Sequence, residues 1–178
     1  MRDAIVATLG AALLLGVAGE ANSAQACRGC AGPETFAAAL TGAGEAFVVP
    51  TPSSGHIVAS FARHARGIDR LTYDIGLSKG IKVTYVTLQC APAGKTGPVI
   101  AVLTEAEGWV TDHDLLRRHG AIGNSRVVPT KASATCPVRI ASLRDVYAAA
   151  AQGAVYVNVY AYAYPAGEVR GQLHALGD

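Results

Sequence analysis

The stretch that decides the fold is Val155-Tyr156-Val157-Asn158-Val159-Tyr160-Ala161-Tyr162-Ala163-Tyr164, followed by Pro165-Ala166-Gly167-Glu168-Val169-Arg170-Gly171-Gln172-Leu173. Small apolar residues at 155, 157, 159, 161 and 163 alternate with Tyr156, Asn158, Tyr160, Tyr162 and Tyr164. Successive side chains of a strand point to opposite faces, so this period of two predicts a strand with an aliphatic face and a tyrosine-rich face. Pro165-Ala166-Gly167 reads as the turn. Beyond it, Val169 and Leu173 alternate with Glu168, Arg170, Gln172 and His174, which predicts a second strand.

The same period recurs upstream. Phe36, Ala38 and Leu40 alternate with small residues, and Val48 to Gly55 is a proline-rich turn. Ile57, Ala59 and Phe61 alternate with His56, Val58 and Ser60, and Leu71, Tyr73, Ile75 and Leu77 with Thr72, Asp74 and Gly76. Ile81 to Cys90 and Val99 to Leu103 read as two more strands, divided by Pro92, Gly94, Gly97 and Pro98. Two short helices interrupt the series. Thr111-Asp112-His113-Asp114 resembles a capping box and predicts a helix through His119, with Gly120 as the stop. Ser142 opens another, whose Leu143, Val146, Tyr147 and Ala150 follow helical spacing up to Gly153. Ala121 to Arg139 has no period and reads as a long loop, which at that length is usually pinned or functional. The expected fold class is all-β: an antiparallel Greek-key sandwich or barrel with one or two short helices and a long loop near 120–140.

The N-terminus has a different character. Met1-Arg2 precedes an apolar run from Ala4 to Ala18, and Ala24-Gln25-Ala26 is a small-x-small cleavage signal. This is the layout of a secretory signal peptide over residues 1–26, and no later stretch is apolar for long enough to span a membrane. The expected organisation is therefore a signal peptide at 1–26, a cysteine-containing segment at 27–33 and one β domain at 34–176, exported to the periplasm or beyond. Cleavage after Ala26 would leave Cys27 first, so a lipoprotein acylated at Cys27 is an alternative, although Ala24-Gln25 fits an acylation signal poorly.

The 178 residues are 51% hydrophobic and 16% charged, with a net charge of +2. That argues for a folded domain rather than a disordered chain. Losing Arg2, Asp3 and Glu20 with the leader shifts the charge only slightly. A charge so near neutral excludes the basic footprint of a nucleic-acid binder.

The four cysteines are Cys27, Cys30, Cys90 and Cys136. In an oxidising compartment an even number implies disulfides, with three connectivities open. Cys27–Cys30 with Cys90–Cys136 is favoured, because the second pair joins a strand end to the long loop. Cys27-Arg28-Gly29-Cys30 also matches a C-x-x-C redox or metal pattern, but no strand precedes it and no second ligand pair follows at zinc spacing.

Val155-Tyr156-Val157-Asn158-Val159 and Tyr164-Pro165-Ala166-Gly167-Glu168-Val169-Arg170-Gly171-Gln172-Leu173 resemble the C-terminal signature of the CHRD domain, a module named from the animal protein chordin that also occurs in exported bacterial proteins. Phe36 to Glu45, Ser54-Gly55-His56, Leu71-Thr72-Tyr73 and Gly94-Lys95-Thr96-Gly97-Pro98-Val99 agree in order, so the likeness spans about residues 34–174. The resemblance implies an extracellular all-β module without an established catalytic activity. Many bacterial relatives carry His-x-His where this chain has Thr87 and Gln89, and a histidine where it has Tyr160. That strand is similar to one in copper-zinc superoxide dismutases. Threonine, glutamine and tyrosine are poor ligands for copper or zinc, so no metal site and no cofactor are expected here.

Three features are candidates for chemistry. Glu168, Arg170 and Gln172 share one sheet face, either as a clamp for a polar ligand or as a structural ion pair that sets register or receives a loop. The five histidines, His56, His64, His113, His119 and His174, have no shared ligand spacing and are expected at the surface or in ordinary hydrogen bonds. Tyr156, Asn158, Tyr160, Tyr162 and Tyr164 form the candidate contact face, or else a half-buried face covered by a helix or by the long loop. No catalytic residues are identified. The function expected is that of an exported, non-catalytic binding or structural module with an unknown protein or glycan partner. A metal-binding or thiol-redox protein using Cys27 and Cys30 is the alternative.

Overall fold

A computed structural model describes residues 35–64, 67–78 and 80–177, all within the compact unit Gly32–Asp178. Its strands are β1 (Thr35–Thr41), β2 (Ser54–His64), β3 (Gly67–Ser78), β4 (Val83–Cys90), β5 (Val99–Glu105), β6 (Val110–Asp112), β7 (Leu115–Gly123), β8 (Val155–Ala161), β9 (Tyr164–Gln172) and β10 (His174–Ala175), with one helix, α1 (Leu143–Ala151). All pairings are antiparallel. The sheet runs β5-β4-β8-β9-β1-β2-β3-β7-β6, with β10 beside β1. It curls into a half-barrel whose inner face is the core, and the fold is all-β.

The alternating apolar residues line that inner face. Phe36, Leu40, Ile57, Phe61, Leu71, Ile75, Leu77 and Leu88 are wholly or almost wholly buried. Helix α1 adds Leu143, Val146, Ala149 and Ala150 to the same core. Its first turn is held from two sides. The Asp145 carboxylate accepts from the Ala141 N–H and the Ser142 hydroxyl, and Asn124 Oδ1 accepts from the Leu143 N–H. Tyr147 meets Phe36 and Phe61 edge-on, and its hydroxyl accepts from Arg63.

The curl brings β5 back beside β7 without a backbone ladder, and side chains close the seam. The buried Tyr73 hydroxyl donates to the Leu103 carbonyl at 2.8 Å, and Arg118 donates to Thr104 Oγ1 and the Gly108 carbonyl. Cys90, at the end of β4, is joined to Cys136 in the loop after β7, both fully buried.

Two local expectations are corrected. Thr111–His119 forms no helix: Asp112 pairs with Leu115 across a two-residue turn, and β7 runs along β3 from Leu115 to Gly123. A helix that short is marginal on its own, whereas the ladder to β3 satisfies every second backbone group of a long strand. Gly120 is therefore no helix stop; it leaves room for the Tyr73 ring, whose hydroxyl would lie 2.3 Å from a Cβ there. Likewise the β8–β9 turn is Tyr162-Ala163, because Ala161 pairs with Tyr164. Pro165, without an N–H to donate, sits at the start of β9 rather than in the turn.

Candidate functional site

The outer face of β4, β8 and β9 carries polar side chains in cross-strand rows. Gln89 stands opposite Tyr156, which stands opposite Gln172; Thr87 stands opposite Asn158, which stands opposite Arg170. This face is not exposed. Thr87, Gln89, Tyr156, Asn158, Glu168 and Arg170 are all buried. The cover is neither the helix nor the long loop but two short connections, residues 42–53 and 91–98.

The β9 residues tie those connections down. Glu168 accepts from the Thr51 hydroxyl at 2.9 Å, Arg170 Nη2 donates to the Lys95 carbonyl at 2.8 Å, and Gln172 Nε2 donates to the Ala91 and Gly153 carbonyls. Glu168 and Arg170 thus hold loops instead of pairing with each other. The Arg170 guanidinium also lies over the Tyr156 ring.

Gln89 organises the floor. Its carbonyl oxygen accepts from the Tyr156 hydroxyl at 2.5 Å, and its amide nitrogen donates to Thr87 Oγ1 and to the Tyr160 hydroxyl oxygen. The Tyr156 oxygen in turn accepts from the Gly97 N–H. Thr87, Gln89 and Tyr160, where the resemblance places histidines in many bacterial relatives, therefore converge on one point.

Between the two loops the floor opens into a cleft of about 200 Å³, with Glu45, Phe47, Tyr156, Asn158, Tyr160 and Arg170 among its lining residues. Phe47 stands at the rim and is 88% exposed. Burial pushes the Glu45 carboxyl above the usual carboxylate range, and the neighbouring Arg170 charge opposes the shift. Burial likewise raises the Tyr156 hydroxyl, opposed by its Gly97 hydrogen bond and Arg170, and reinforced by Tyr160 and Glu45. Glu45 Oε1 and Asn158 Oδ1 are buried without a hydrogen-bond partner.

The candidate contact face is divided by the structure. Tyr156 and Asn158 form the buried floor and Tyr160 its half-buried margin, while Tyr162 is 81% exposed at the hairpin tip and Tyr164 opens the next strand. All five histidines are exposed. His64, His113 and His119 each lie within 4 Å of an aspartate. Among the described residues no group of three or more His, Cys, Asp or Glu side chains is placed to hold a metal ion. Cys27, Cys30 and the leader lie outside the described residues. No described helix is long and apolar enough to cross a membrane. Sequence reasoning missed Glu45, Phe47 and Lys95 as site residues. Glu45 and Lys95 fall inside stretches that carry the family resemblance, but no spacing marks any of the three as facing β8.

A curled antiparallel sheet with a loop-covered polar face defines a β module with a single-sided cleft. The CHRD domain family model matches residues 36–173, and the chain belongs to that family. Comparison with curated proteins and with solved structures returns no match.

Proposed function

We propose that the chain is an exported, non-catalytic CHRD module that binds a protein or glycan partner in the cell envelope or outside the cell, using the cleft above β4, β8 and β9. The observation that carries this reading is a cleft of about 200 Å³ whose lining brings the polar side chains of Asn158, Tyr160 and Arg170 together beside the exposed Phe47 ring. A concave site with a few fixed polar groups beside an exposed aromatic ring offers a partner both orientation and apolar contact. The hydroxyls present there bond to Gln89 and to each other's neighbours, not as a nucleophile to a base, which favours binding over turnover. The buried Cys90–Cys136 disulfide and the signal-like leader favour an oxidising compartment.

The full chain expressed with its own N-terminus tests both halves. Outside the cytoplasm, the expected product is a mature protein whose mass places its first residue at Cys27 without a lipid increment. Peptide and glycan arrays are then probed with wild type and Phe47→Ala, and binding is expected to fall in the variant. A product that stays in the cytoplasm with its leader attached overturns export. Array signals identical for the two proteins overturn the cleft as the contact.

A further inference from the structure

We infer that the cleft binds an uncharged peptide segment, taking one of its backbone carbonyls on the Tyr160 hydroxyl, which a hydrogen-bond relay through Gln89 holds as an outward donor. This rests on the binding role proposed above, and it names the kind of partner and the group recognised.

A chain of bonds that starts in the connection 91–98 sets the direction. The Gly97 N–H can only donate, and it fills a lone pair of the Tyr156 oxygen. The connection is held in place beneath it: the Cys90 N–H donates to the Pro98 carbonyl, and a Cβ at Gly97 would lie 1.9 Å from the Cys90 carbonyl oxygen. Tyr156 is 1% exposed, so its hydroxyl proton needs a protein acceptor, and it takes Gln89 Oε1. That turns the Gln89 amide with its nitrogen toward Thr87 and Tyr160, to which it donates. The Tyr160 oxygen is therefore an acceptor on its inner side. Its own proton meets no acceptor among the described residues and is left to the cleft that Tyr160 lines.

The other polar groups bordering the cleft agree with it. Asn158 Oδ1 and Glu45 Oε1 are sealed against Gly167, with no room for a ligand atom between. Asn158 Nδ2 donates to no described residue, and Arg170 uses only Nη2, on the Lys95 carbonyl. Three side chains thus offer donors, so the ligand must bring an acceptor. Arg170 and Glu45 both line the cleft, so a carboxylate or an ammonium group would each meet one like charge. A carbonyl oxygen takes the donors and brings no charge beside either.

The surroundings point to a peptide. Residues 46–55 and 155–167 contain no charged side chain. They expose Phe47 and Val48 on one segment and Tyr162 on the other, and Phe47 and Ala166 line the cleft itself. An apolar strip of this kind suits the side chains that flank a peptide carbonyl. An acetamido sugar would instead set its hydroxyls against that strip. The cleft, at about 200 Å³, is smaller than the roughly 300 Å³ and upward of sites for drug-sized ligands, so it takes one carbonyl with its adjoining side chain.

NMR on the exported, oxidised protein tests the relay without a ligand. The Tyr156 hydroxyl proton is expected to exchange slowly and to lie close to the Gln89 side chain, while the Tyr160 hydroxyl proton exchanges freely with water. A protected Tyr160 proton with an unprotected Tyr156 proton reverses the relay and overturns the inference. Binding is then measured with N-acetylleucine N-methylamide, isovalerate, isoamylammonium chloride and the methyl glycoside of N-acetylglucosamine. The blocked leucine is expected to shift the Gly167 amide and the Asn158 side-chain amide with a millimolar Kd, and to bind more tightly than the other three. Tyr160→Phe is expected to weaken it roughly fivefold or more. Gln89→Glu should do the same with both tyrosines in place, because its carboxylate accepts from both hydroxyls and draws the Tyr160 proton inward; should that variant not fold, Tyr160→Phe alone decides. The inference is overturned if the blocked leucine moves neither amide, if any other probe binds more tightly, or if Tyr160→Phe binds like wild type. Array peptides captured through Phe47 but indifferent to Tyr160→Phe overturn the carbonyl contact and leave the binding role standing.

Discussion

The guanidinium carbon of Arg170 lies 3.4 Å from the centre of the Tyr156 ring, across the β9–β8 pair. The same guanidinium donates to the Lys95 carbonyl, so one buried cation joins the cleft floor to the loop above it. Arg170→Ala is expected to destabilise the domain by about 2–4 kcal/mol, through the lost stacking, the lost charge-assisted bond and the cavity left behind. Arg170→Lys keeps the charge but not the flat, forked donor, and should recover less than half of that loss. Urea denaturation of the three proteins measures it; a change under ~0.5 kcal/mol in Arg170→Ala, typical of surface sites, would sink the argument.

Glu45 gives a pH dependence of definite sign. Its carboxyl is raised above the ordinary 4.5 by burial, against the pull of Arg170. The folded protein therefore binds a proton more readily than the unfolded chain between 4.5 and the raised value. Stability contributed by this group falls as pH rises through that window, and the penalty is complete above it. Glu45→Gln should match wild type at pH values below about 4 and exceed it progressively at higher pH. Unfolding free energies of both proteins across that range check the direction, and a difference independent of pH contradicts it.

The Cys90–Cys136 bridge spans 46 residues. On the chain-entropy account, closing a loop of that length stabilises by about 4 kcal/mol. Cys90→Ala/Cys136→Ala should lose most of this in denaturation experiments, and limited proteolysis should then cut first between residues 124 and 140. Unchanged stability would mean that the strand ladders alone fix this loop.

Tyr73 closes the seam of the half-barrel through its bond to Leu103. Tyr73→Phe leaves a buried carbonyl unsatisfied, for an expected loss of about 1–2 kcal/mol. Hydrogen exchange should quicken along β5 before it changes along β8. Equal acceleration in both strands would show that the seam has no separate role.

Much of the fold is legible in the sequence wherever one face of a strand is buried. Phe36, Ala38 and Leu40, or Leu71, Tyr73, Ile75 and Leu77, show their period because the core needs it. The β6–β7 hairpin is not legible, because Thr111-Asp112 and Leu115-Leu116 suit a helix locally and only the distant ladder to β3 decides otherwise. The Tyr162-Ala163 turn hides behind a stronger turn signal in Pro165-Ala166-Gly167. For the site, the strand residues Tyr156, Asn158, Tyr160, Glu168, Arg170 and Gln172 could be picked out from alternation. Their burial could not, because it comes from loops whose approach is set by hydrogen bonds to Thr51, Lys95 and Ala91 and leaves no periodic trace.

Strands β8 and β9 have a hydrogen-bonded neighbour on each side, while the connections 42–53 and 91–98 rest on them through a few side-chain bonds. The molecule is in this sense a foundation with a removable canopy. Lengthening or rewriting either connection alters what the canopy admits, provided that Thr51, the Lys95 carbonyl and the Ala91 carbonyl keep their anchors, and the foundation need not shift. A scaffold of this design can be re-tooled for a new ligand by exchanging two short loops, with its folding left to strands that the exchange never touches.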